Sequence, residues 1–156
     1  MSTDWLVFGH LVGAFLFVGG SLLAAALRVA AMRRERPSEI ALLRRAVRPA
    51  VPLVGAGFAL AVGMGFWLAD RLGYDLGGTW LTLTFVLVVW MLVVGTLTGR
   101  SERHTRELAE RLARESDAPS AELDRRLRAP VGLALDASLL LAAVVVVALM
   151  VWKPGT

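Results

Sequence analysis

Four apolar runs of about 20 residues each punctuate this chain, and they constrain its fold more than any other feature. A run of that length spans the roughly 30 Å hydrocarbon core of a bilayer, since an α-helix rises 1.5 Å per residue. With 56% of its 156 residues hydrophobic and only 19% charged, the chain holds more apolar surface than one small soluble core can hide. The runs are therefore expected to face lipid. The predicted spans are residues 5–27, 49–70, 79–99 and 130–152, with polar connections over residues 28–48 and 100–129. The fold class that follows is all-α: a single polytopic membrane domain over residues 1–156, a four-transmembrane-helix bundle with cytosolic helical extensions.

A net charge of +4 would suggest a nucleic-acid partner in a soluble protein, so the placement of the positive residues matters more than their sum. Fifteen of the 17 basic residues lie in the two polar connections, and only Arg71 and Lys153 lie elsewhere. The positive-inside rule makes both connections cytosolic and both termini external, in a bacterial plasma membrane. Trp5, Trp67, Trp80 and Trp152 fall at the start, end, start and end of successive runs, where indoles favour the outer headgroup level. Asp4 precedes the first run and no basic residue does, which reads as a retained span and not a cleaved signal peptide.

Local signals set the boundaries. Pro37 should break the first helix after Arg36, with Ser38 capping a short helix from Glu39 to Val47. Pro49 and Pro52 open span two, which is rich in glycine, as close helix packing in lipid requires. The connection from Arg71 to Gly78 is short, so spans two and three are expected to be antiparallel neighbours. Span three should run on as an exposed helix to about Glu115, supported by Glu102 with Arg106, Glu107 with Arg111 and Glu110 with Arg114. These glutamates cancel most of the positive field, and no nucleic-acid partner is expected. Beyond a turn at Ser116 to Ser120, a helix returns from Ala121, and Leu123 and Leu127 can meet Leu108 and Leu112 in a helical hairpin.

Few residues carry chemistry. Cysteine is absent, which removes disulfides, thiolate metal sites and thiol nucleophiles, and no phosphate-cradling loop, zinc-protease pair or nucleophile elbow is present. Whether the protein is an enzyme stays open, since no catalytic constellation is recognised. His10 lies about 7 to 8 Å inside span one and shares a face with Gly13, Ala14, Phe17, Gly20, Ser21 and Ala24, so it should point into the bundle. It reads either as a hydrogen-bonded interior histidine or as a ligand of haem b or, less readily, copper. Met64, about 9 Å deep in span two between Gly63 and Gly65, lies at a matching height, as a core residue or a second ligand. Asp136 is the carboxylate placed well inside a span, and Ser138, Thr96, Arg48 or Arg100 are the partners expected to offset its cost. It reads as a polar clasp or as a proton-relay or substrate contact. His104 reads as a solvated surface residue.

The stretch from Phe8 to Gly20, with His10 followed about nine residues later by Gly19-Gly20, resembles the first span of small bacterial integral membrane families. The likeness is to a predicted four-helix family of unknown function, through the glycine-rich second span, Trp80-Leu81 and the charged segment after span three. It extends more distantly to the copper-resistance D and HemJ-type protoporphyrinogen oxidase families. In the latter the first-span histidine ligates haem, a role the resemblance would give to His10. Phe17 stands where those families commonly carry Trp, and Trp90-Met91 has no accompanying Lys, so protoporphyrinogen oxidation is not implied. Three functions remain: a non-catalytic membrane module that binds a second copy or a membrane partner protein, a haem or redox protein using His10, and a small metal or solute transporter using Asp136.

Overall fold

The computed structural model describes residues 3–75 and 77–154, and all regular structure among them is helical. Four long helices are apolar enough to cross a membrane. Helix α1 spans Asp4–Ala31, α3 spans Ala50–Arg71, α4 spans Thr79–Glu115 and α6 spans Pro130–Trp152. Two short helices, α2 (Pro37–Val47) and α5 (Ala121–Leu127), lie at the arginine-rich end. Large apolar side chains such as Phe8, Phe15, Val86, Leu141 and Val151 are exposed along the long helices, as lipid contact requires.

Prolines and one glycine punctuate the chain as their backbone chemistry dictates. Pro37 and Pro130 each occupy the first turn of a helix, where a missing N–H costs nothing, and the residue before each is extended. Gly73 ends α3 at φ +70, with Tyr74 N–H donating to Ala69 O and Gly73 N–H to Asp70 O, a left-handed closure that suits glycine.

Packing divides the long helices into pairs. Helix α1 lies along α3 so closely that a Cβ on Gly13 would stand 2.5 Å from Ala61 N and 2.7 Å from Gly57 O. A Cβ on Gly57 would meet Phe17 N at 2.8 Å, and Phe17 and Phe58 stack beside this crossing with centroids 5.2 Å apart. Helix α4 lies along α6, while α1 and α6 touch only briefly. The expected close neighbours α3 and α4 meet only near their short connection, where Phe66 faces Phe85 and Ala69 packs with Trp80 and Leu81. Beyond that point they part, because the small-residue face of α3 is already occupied by α1.

The arginine-rich end folds into a cap with its own apolar core. Ala31, Ile40, Ala41, Leu108, Ala109, Leu123 and Leu127 are buried together, with Met32, Leu43 and Leu112 packed against them. The expected hairpin is thus present, and α1 and α2 complete it. Ser120 accepts a hydrogen bond from Leu123 N–H at the start of α5. Ser38 does not cap α2 as expected: Arg36 is the N-cap residue, and the Ser38 amide and hydroxyl both donate to the Asp117 carboxylate, each at 2.8 Å. Asp117, at φ 48 in the turn after α4, therefore closes α2 from across the cap. The two donated bonds hold its carboxyl below the usual carboxylate range.

The surface ion pairs of α4 also differ from the expected set. Arg103 pairs with Glu107, Arg106 with Glu110 and Arg111 with Glu115, each arginine reaching the glutamate four residues on. The reverse pairing fails at its first member, because Glu102 turns inward to arginines of α1 and α2.

Candidate functional site

Two features of the bundle carry chemistry, one at each end. Between the α1–α3 and α4–α6 pairs lies a cavity of about 440 Å³ whose walls include His10, Phe17, Phe58, Trp80, Met91 and Met150. Its position follows from the packing: α1 and α3 are drawn together by glycines, and the second pair meets them near the Arg71–Gly78 connection and at the arginine-rich cap, leaving space between. At that same end Trp5 meets Trp67 edge to face, Tyr74 covers Trp80, and the Lys153 ammonium donates to the Tyr74 hydroxyl while lying over its ring. Trp5, Trp67 and Trp152 are exposed there, whereas Trp80 is only 5% exposed and belongs to the interior.

His10 projects from α1 into this space. Its Nδ1 lies 2.7 Å from the Ala61 carbonyl oxygen on α3, which can only accept, so Nδ1 carries the proton and donates. In the neutral ring Nε2 then keeps its lone pair, and Nε2 has no hydrogen-bond partner among the described residues. Gly65 makes the fit possible, since a Cβ there would lie 3.0 Å from His10 Cε1 and Nδ1. Met64, the residue matched to His10 by depth, packs elsewhere: a Cβ on Gly9 would lie 3.3 to 3.6 Å from its side chain, and it is not among the residues lining the cavity. Met91 and Met150 are the thioethers on the wall. Periodicity placed His10 inward, but depth alone could not say which side of α3 Met64 takes.

At the opposite end four charges from four helices meet. Arg28 of α1 pairs with Asp136 of α6 and, at 3.2 Å, with Glu102 of α4, and Glu102 also pairs with Arg44 of α2. The quartet is electrically neutral. The Arg44 and Arg28 side chains are only 4% and 10% exposed, so the mutual compensation is what permits their burial. Asp136 is thus offset by Arg28 and by none of the partners named from the sequence. Ser138 donates to Leu135 O at 2.7 Å and Thr96 to Leu92 O at 2.7 Å, each satisfying its own helix. A signal for Arg28 was present in Gly132, one turn before Asp136 on the same helix face, where a Cβ would stand 2.7 Å from Arg28 Nη2. His104 is exposed and lies 3.9 Å from Glu107, and among the described residues no group of His, Asp and Glu is arranged to hold a metal ion.

Residues 4–154 match a family described as predicted integral membrane protein, DUF2269. The chain belongs to that family. No curated protein and no solved structure matches it. For this DUF2269 member, membrane embedding is therefore carried by family and by four candidate spans alike, and the protein is an integral membrane protein of unknown function. Chemically, the DUF2269 chain offers one open imidazole nitrogen in an apolar cavity and one closed ionic cluster. The first can accept a bond; the second balances its charges among its own members, although the Nε atoms of Arg28 and Arg44 are buried without a hydrogen-bond partner among the described residues.

Proposed function

We propose that the protein is a non-catalytic four-helix module of the bacterial plasma membrane, a single domain with both termini outside and the cap in the cytosol. The observation that supports this reading is the neutral quartet joining α1, α2, α4 and α6, which fastens the cap to the spans at the level where the arginines concentrate. A cap so fastened is suited to bind a second copy of the chain or a membrane partner protein. Since the chain has no cysteine, single-cysteine variants report topology cleanly. Thr3→Cys and Lys153→Cys should react with an impermeant maleimide in intact spheroplasts, and Ala118→Cys only after permeabilisation. The opposite pattern overturns the orientation.

A second reading is favoured by the geometry of His10. An Nδ1–H bonded to a backbone carbonyl is the arrangement that orients a metal-ligating imidazole through Nε2. His10, through Nε2, would hold a haem b, while Met64, the second ligand this reading names, packs against Gly9 and fits less well. Such a haem would supply electron-transfer chemistry, with Gly65 and Ala61 fixing the ring. A Soret band in purified protein, lost in His10→Ala, supports it, and a colourless preparation from haem-replete cells rejects it. Transport through Asp136 has weaker support, because Arg28 already holds that carboxylate.

A further inference from the structure

The cavity beside His10 has three properties that together specify a ligand. Its walls are apolar and carry rings and thioethers, with Phe17, Phe58 and Met91 deeper in the bundle and Trp80 and Met150 near the aromatic rim. Flat aromatic bodies gain from such surroundings through edge and face contacts with rings and sulfur. The α1–α3 and α4–α6 pairs barely touch across it, so a molecule dissolved in the bilayer reaches it sideways without passing through water. Finally, the ligand-facing polar atom is an acceptor: Nδ1 has given its proton to Ala61 O, and the Nε2 lone pair is left without a partner among the described residues.

An acceptor in an apolar pocket selects for a donor, because a ligand lacking one leaves the nitrogen unsatisfied away from water. An acyl chain fills the space but offers no proton. An anion has no proton to give to Nε2, and the lysine on the wall, Lys153, is already engaged with the Tyr74 hydroxyl and ring. We propose that this cavity binds a lipid-soluble phenol or quinol, its hydroxyl donating to Nε2 of His10 and its ring lying in the apolar space beside that imidazole. Gly65 sets the site by letting the imidazole approach α3 closely, and Ala61 O fixes the tautomer that accepts. The inference goes beyond the module reading and rests only on membrane embedding. It competes with the haem reading for the same nitrogen.

The test uses the full chain in phosphatidylcholine nanodiscs with 15N-labelled histidine. The sequence holds two histidines, so His104→Asn leaves the His10 signals alone. Decylubiquinol is the probe, and its dimethyl ether, with the same ring and tail but no hydroxyl, is the control. Decylubiquinol should shift the unprotonated Nε2 resonance upfield in a saturable manner, and the ether should bind at least tenfold more weakly. No shift with decylubiquinol, or equal titrations with the two compounds, overturns the proposal. So does a Soret band on the same sample that disappears in His10→Ala, since iron then holds Nε2. The paired ligands make the result independent of whether any cavity variant folds.

Discussion

The two ends of this bundle are held by different forces. At the arginine-rich end, four helices converge on a neutral ionic quartet and on a buried core of Ile40, Leu108, Leu123 and Leu127. At the end that carries the termini, aromatic side chains edge a cavity, and the two helix pairs stand apart around it. One end is closed by directional, charge-compensated contacts and the other is left with space beside the His10 imidazole. Stability and ligand capacity are thereby separated along the membrane normal, so a change at one end should spare the other.

The largest expected effect breaks the closed end. Arg28→Met leaves Asp136 without its partner and should cost about 4 kcal/mol in unfolding free energy, as removal of one member of a buried ion pair does. Pairing it with Asp136→Leu should recover most of that loss, read as restored thermal stability in detergent. A double variant as unstable as the single one would mean that the quartet is not held by charge compensation. Next comes Leu123→Ala, which removes a fully buried side chain from the cap core and should cost about 3 kcal/mol. Hydrogen exchange should quicken in α2 and α5 while the His10 environment stays as it was.

A smaller effect is expected inside the α1–α3 pair. Gly57→Val places a side chain against Phe17 N and Gly13 O and should cost about 2 kcal/mol by forcing the helices apart. It should also disturb the His10 to Ala61 bond, visible as a change in the His10 tautomer by 15N NMR, a response that Leu123→Ala should not give. The mildest change is at Asp117. Its carboxyl titrates lower in the folded cap than in the unfolded chain, so its contribution is present above the ordinary aspartate range and is lost as pH falls through the lower, folded value. Exchange of the Ser38 amide should quicken over that acidic window, and Asp117→Asn should remove the pH dependence.

Much of this contrast can be read from residue order, for identifiable reasons. Four spans, the run of α4 to Glu115 and the leucine-lined hairpin follow from hydrophobic period and length, which tertiary contacts do not override here. The inward face of α1 is legible because glycines at helical spacing admit only a close neighbour. The partners of polar groups are harder. Asp136 finds Arg28, 108 positions away in the chain, and Ser38 finds Asp117, 79 positions away, and no local rule ranks such distant candidates. Met64 illustrates the same limit in rotation: its depth follows from counting residues, but which face of α3 meets the cavity depends on how the second helix pair docks.

Helix α4 runs unbroken for 37 residues, about 55 Å, from the aromatic rim through the apolar segment into the cap. It is a stiff lever with no joint between its two environments. A tilt of only 5° at one end would swing the other by about 5 Å, so whatever wedges between the helix pairs on the terminus side would be felt mechanically at the exposed face of the cap.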